Sequence, residues 1–170
     1  IDVRESNQPW GATLDKEPAE SFLNLKHNVI IVEMPGIEKE AGLAKSHTLF
    51  ILDHHRYGEL DRSNPKSSLE QFAELVGYTL NREEMGIALN DRGYIPALET
   101  NGYSKSEIED IRRYDLSCQG YTADAFVQQK KEYSAGSLLL SDLFIVTTTF
   151  KLSSYISDLH YWACKDSELQ

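Results

Sequence analysis

The chain is poor in the features that mark several protein classes. Only two of its 170 residues are cysteine, Cys118 and Cys164, and they stand far apart. That excludes a disulfide-dense scaffold and any Cys-x-x-Cys redox or metal motif. The pair reads as free thiols in a reducing compartment, so a cytoplasmic location is expected. No apolar run approaches the length that crosses a bilayer, so no membrane is expected as a partner. No secretory leader is visible. A glycine-rich phosphate loop and the spacing of a Ser-His-Asp triad are both missing. Positive charge is also short, with 17 Lys and Arg against 27 Asp and Glu, a formal net charge of −10. Such a field opposes indiscriminate binding to nucleic acid or anionic lipid, and it suits a site that collects divalent cations.

What remains is ordinary for a globular protein, with 41% hydrophobic and 26% charged residues. The length supports a single domain over 1–170 with its own core. Residues 1–18, with Pro9-Trp10-Gly11 in the middle, read as an irregular arm, and Ala19 to Leu25 as a short helix. Asn28 to Val32 and Thr48 to Leu52 are β-branched or apolar runs that read as buried strands. Ile37 to Lys45 is a short helical crossover between them, which makes a βαβ unit with a parallel pair. Gly58 to Pro65 is a polar loop. Ser67-x-x-Glu70 and Ser104-x-x-Glu107 are capping boxes that open helices running to about Val76 and Tyr114. Gly77 stops the first. Further helices are expected over Asn81 to Asn90, Thr122 to Tyr133 and Ser153 to Trp162, with a strand over Leu143 to Thr149. The fold class is therefore α/β, a parallel sheet with flanking helices.

Asp53-His54-His55 follows the second strand directly, at the edge where open α/β sheets bind ligands. Glu33 ends the first strand and should emerge at the same edge. A carboxylate beside two imidazoles is a natural ligand set for a first-row divalent metal. Adjacent histidines on an extended backbone point in different directions. A division of labour is expected, with one ligating metal and the other facing substrate.

Phe50-Ile51-Leu52-Asp53-His54-His55 resembles the signature of the DHH phosphoesterase superfamily. Val29 to Glu33 resembles that superfamily's second motif, and Met85 to Gly93, with Asp91, its fourth. The similarity covers roughly residues 28–94. It implies a three-layer αβα domain and a metal-dependent phosphoesterase that hydrolyses a phosphodiester or phosphoanhydride. The cofactor implied is Mn2+, or Mg2+ or another divalent ion, as one or two ions. By the same resemblance Glu33, His54 and Asp91 are metal ligands, His55 contacts the scissile phosphate, and Asp53 orients the motif; His55 and Asp53 are the catalytic candidates.

Three features depart from the pattern. The family's leading acidic motif is not evident, since Asp2 and Asp15 are the only aspartates before Glu33. Glu33 stands where aspartate is usual. The stretch from His54 to Asp91 is short, and only residues 136–170 are left as a remnant of a C-terminal subdomain. The alternative is a catalytically degenerate DHH-like module for nucleotide binding or assembly, or a site completed by an oligomeric partner chain. The expected partner is a phosphate-containing small molecule or a short nucleic acid.

Weaker signals surround the motif. Arg56 and, less so, Arg92 are candidates to grip phosphate, because a guanidinium holds two oxygens. Arg112-Arg113 and Lys130-Lys131 read as solvated helix faces. His27 and His47 read as loop or edge residues, and His160 as a packing residue.

Overall fold

The computed structural model describes residues 2–9, 11–135, 138–140 and 143–168. The chain is mixed helix and strand. Where the sequence suggests one domain, contacts divide it into two compact units, Ile1–Arg92 and Gly93–Gln170. Trp10, Gly136 and Gln170 lie outside the described residues.

In the first unit, β1 (Asn28–Val32) and β2 (Thr48–Leu52) pair in parallel, with Asn28 opposite Thr48 and Val32 opposite Leu52. Helix α1 (Ile37–Leu43) is the crossover between them. This is the expected βαβ unit, since parallel neighbours need a connection long enough to return the chain. The expectation of two buried strands is not met. Ile31 and Leu52 are buried, whereas Val32 and Ile51 are exposed. Among the described residues this parallel sheet has two strands, and it lacks the full cover on both faces that is usual for parallel sheets, since Val32 and Ile51 stay open. The expected helix after Pro18 is a single 3-10 turn over Ala19–Phe22.

The loop after the motif carries an unforeseen hairpin. β3 (Arg56–Tyr57) and β4 (Leu60–Asp61) are antiparallel, with Tyr57 opposite Leu60. Gly58 opens the turn at φ 60°, the position that tight hairpins reserve for glycine. Helix α2 (Ser68–Val76) begins with the expected capping box. Glu70 N donates to Ser67 Oγ at 3.3 Å, and Ser67 N donates to Glu70 Oε2 at 2.8 Å. Gly77 ends it at φ 68°. Ser67 is fully buried, so Ser67→Ala should cost about 0.5–2 kcal/mol by chemical denaturation. An unchanged midpoint would count against the cap.

Helix α3 (Arg82–Thr100) runs past the expected end at Asn90 but breaks at Tyr94, φ 51° and ψ −148°. The break has local causes. Pro96 lacks an amide hydrogen and so cannot continue the ladder, and the bend is tight enough to need glycine, since a Cβ on Gly93 would lie 2.7 Å from that of Ala97. The boundary between the two units falls at the same place.

The second unit contains α4 (Lys105–Cys118), α5 (Ala123–Ala135), the antiparallel strands β5 (Leu138–Leu140) and β6 (Leu143–Ile145), and α6 (Ser154–Glu168). Leu116, Tyr121, Ala125 and Phe126 form a core cluster, with Tyr155 packed against it. Arg112 corrects the expectation of a solvated basic face. It is buried, donating through Nε and Nη2 to the two oxygens of Asp158 at 2.9 and 3.1 Å and through Nη1 to Asp115 at 2.7 Å. Cys118 and Cys164 are free and exposed.

β6 stops at Ile145, short of the expected Thr149. Side chains of α5 capture the chain beyond it. Gln129 Nε2 donates to the Leu152 carbonyl at 2.5 Å, and Thr149 Oγ1 donates to Glu132 at 2.6 Å. The bond from Thr149, helped by Gln128 and Thr148, lowers the Glu132 carboxyl from 4.5 to about 2. A lowered acid stabilises the fold above its unfolded value and loses that contribution as pH falls through its folded value. Protection of the Thr149 amide should therefore fade between pH 4.5 and 2 in hydrogen exchange. Constant protection across that window would refute the coupling.

Candidate metal centre

The two strands deliver the site. Val32 and Leu52 end side by side, and Glu33 N donates to the Leu52 carbonyl at 3.0 Å, extending the ladder by one bond. Glu33 then turns into the left-handed region at φ 51°. That conformation costs an L residue roughly 1–2 kcal/mol and is typical of positions shaped by function. Its carboxylate reaches His54, with Oε1 3.4 Å from Nδ1.

Asp53 organises the turn after β2. Its side chain is 1% exposed. Oδ1 accepts from the backbone amides of His54 and His55 at 2.8 and 3.0 Å, and from Tyr57 Oη at 3.3 Å. It also lies 3.1 Å from His55 Nδ1. Bonding two successive amides to one carboxylate turns the chain out of the strand. The histidines therefore do not diverge as extended residues would. Their rings lie 4.1 Å apart, tilted by 34°. Glu33, His54 and His55 each offer a ligand atom, and these atoms all lie within 4.8 Å of one another. The division between a metal histidine and a substrate histidine is thus not forced by direction, because both can reach one ion.

Asp91, from α3, approaches from another side. Its Oδ2 is 3.8 Å from His54 Nε2, whereas Glu33 faces Nδ1. One imidazole presents only one nitrogen to a given ion. Glu33 and Asp91, expected with His54 as ligands of one or two ions, thus lie at opposite nitrogens of that ring, which can join only one of them at a given ion. Arg56 is exposed on β3, one residue beyond the motif. Arg92 is already engaged, its Nε 3.0 Å from Glu70 Oε2. That weakens its claim on phosphate, since the capping box of α2 holds the same carboxylate.

Several supporting residues carry no motif. Ser68 Oγ donates to the Leu52 carbonyl at 3.2 Å, and Gln71 Nε2 to the Asp53 carbonyl at 2.8 Å. They satisfy backbone acceptors that the end of the strand leaves open. Arg62 N donates to the His55 carbonyl at 3.1 Å, and the Arg62 side chain faces Asp53, with Nη1 3.7 Å from Oδ2. Arg62 Nη2 donates to both oxygens of Glu40 at 2.6 Å. Tyr57 is held protonated well above the usual phenol range, first by burial and then by the charge of Asp53. Only the proximity of Tyr57 and Arg62 to the motif in the chain offered a signal; nothing in the pattern marked Glu40, Ser68 or Gln71.

The donor set fits a first-row divalent cation, which takes imidazole and carboxylate together. A second observation agrees. His54 Nδ1 is buried without a hydrogen-bond partner. Buried polar atoms are ordinarily satisfied, and such an orphan calls for a ligand. No family model, curated protein or solved structure matches the chain.

Proposed function

We propose that this chain is a metal-dependent phosphoesterase of the DHH type, built on a three-layer αβα plan. Its reaction is hydrolysis of a phosphodiester or phosphoanhydride in a nucleotide, short oligonucleotide or similar molecule, with manganese or a related ion. One observation carries the reading: Glu33, His54 and His55 offer ligand atoms within 4.8 Å of one another at the carboxyl ends of a parallel strand pair.

A divalent ion supplies such a site with Lewis acidity toward phosphoryl oxygen and lowers the pKa of bound water. The protein's own groups do the rest. Glu33 and His54 provide the donors. Asp53, as acceptor from His55 Nδ1, places that ring's proton on Nδ1 and leaves the lone pair on Nε2. His55, 45% exposed at its side chain, can take a proton on Nε2 and, once protonated there, donate to a phosphoryl oxygen. Arg56 is exposed beside it and can grip a second oxygen. The net charge of −10 favours a small substrate over a long polyanion, because long-range attraction is missing.

The test is hydrolysis of a generic phosphodiester with added manganese, wild type against His54→Ala. Activity is expected in the first and only background in the second. Equal rates in both, or none in either, sink the enzymatic reading.

A second reading rests on one observation. Asp15, the sequence's nearest upstream aspartate, accepts the Lys39 amide at 3.3 Å and so serves the start of α1. The group Glu33, His54 and His55 is the cluster found among the described residues, without an acidic residue from the N-terminal arm. A degenerate nucleotide-binding or assembly module would look the same. Calorimetric titration with manganese separates the two, since a full catalytic centre takes up two ions and a degenerate one fewer.

A further inference from the structure

We infer that Arg62 is a positioning residue for His55, acting through the Asp53 carboxylate. The hairpin of β3 and β4 returns the chain to the motif. The Arg62 amide then pins the His55 carbonyl at 3.1 Å, and its guanidinium faces Asp53 from behind. The Arg62 side chain is 12% exposed, as is that of Glu40, which takes both bonds from Nη2. Glu40 is itself held, its Oε1 accepting the Gly36 amide at 3.0 Å. Crossover helix and hairpin are thus tied together behind the two histidines.

The division of work on Asp53 is uneven. All its hydrogen bonds fall on Oδ1, toward His54, His55 and Tyr57. Oδ2 has none, and neither has Arg62 Nη1, although both are buried and 3.7 Å apart. Two facing polar atoms left without a bond are a poor arrangement for stability alone. They are a good arrangement for orientation. Glu40 holds the guanidinium back, so its charge fixes the rotation of the carboxylate without drawing it off the histidine side. Oδ1 is thereby kept on His55 Nδ1, and the lone pair of His55 stays on Nε2.

The activity of the site rests on the phosphoesterase reading; the positioning does not, and the test keeps them apart. Two variants are used. Arg62→Met with Glu40→Leu removes the ion pair together, which avoids stranding a buried carboxylate on Glu40. Arg62→Gln keeps a donor toward Glu40 and removes the charge that faces Asp53. Nitrogen-15 NMR of the neutral imidazoles at alkaline pH reports which nitrogen carries the proton. In the wild type His55 is expected as the Nδ1–H form; in both variants, folded by circular dichroism, that preference is lost. Because His55 can reach the same ion as Glu33 and His54, calorimetric affinity for manganese is expected to fall roughly 10–100-fold, the usual cost of losing a residue that orients a ligand. A folded variant with the wild-type His55 proton position overturns the inference, as does a wild-type His55 protonated on Nε2. If the wild type takes up no manganese, the phosphoesterase reading fails, and the NMR arm alone decides the role of Arg62.

Discussion

Asp53→Asn is expected to lower the proposed manganese-dependent hydrolysis by roughly 10²–10⁴-fold while leaving the chain folded. The substitution preserves shape. The amide oxygen still accepts the His54 and His55 amides, so the turn after β2 survives. What it loses is charge and the freedom to be an acceptor at both atoms. With its oxygen at the Oδ1 position, the new NH2 group takes the Oδ2 position and faces Arg62 Nη1, donor against donor. The neutral oxygen left on His55 Nδ1 is a weaker acceptor than the carboxylate, so the ring's proton is held less firmly and a positive charge on the ring loses its counter-charge. The variant should therefore lose kcat more than KM, because the substrate's remote contacts do not involve Asp53. A wild-type kcat would show that His55 acts without the help of Asp53.

Arg112→Met should destabilise the second unit by about 3–5 kcal/mol, the usual loss when one partner of a buried ion pair is removed. Asp158 would remain buried beneath it, 13% exposed at its side chain, with no guanidinium. Burial already pushes the Asp158 carboxyl above its ordinary value, against the pull of Arg112. An acid whose folded value is raised favours the fold below its unfolded value, and that contribution is lost as pH rises through the folded value. The damage should thus be greatest near neutrality and should shrink on acidification, as Asp158 takes up a proton and no longer needs a cation. Urea titrations across that range measure it. Adding Asp158→Leu should recover most of the loss at neutral pH. A loss independent of pH would assign the effect to packing of the arginine stem instead.

Both effects lie at positions where neighbours in space decide the outcome. Arg112-Arg113 reads as a solvated basic pair because two adjacent helical residues of like charge usually are. They lie on different faces of α4, and Arg112 turns inward to Asp158, which belongs to α6. Nothing in the local pattern of α4 encodes that partner. Arg62 and Glu40 are a similar case, since their pairing depends on a hairpin whose strands are too short to show alternation.

Local rules were sufficient elsewhere. The boundaries of β1 and β2, their parallel pairing through a short helix, both capping boxes and the glycine stop after α2 were all legible in the sequence. Each depends on residues within a few positions of one another. The position of Asp53-His54-His55 at a strand end was legible for the same reason. The direction of its histidines was not. Extended geometry predicts divergence, and a side chain that captures its own following amides cancels it.

By itself, then, the sequence determined the βαβ unit, the two box-capped helices and the address of the candidate site, because hydrophobic period and capping chemistry act over one or two turns. The tertiary structure alone decided which nitrogen of His54 meets Glu33 and which meets Asp91, and it set Arg62 behind Asp53. Those choices depend on where distant segments meet in space, and on charges whose energy is set by burial rather than by sequence neighbours.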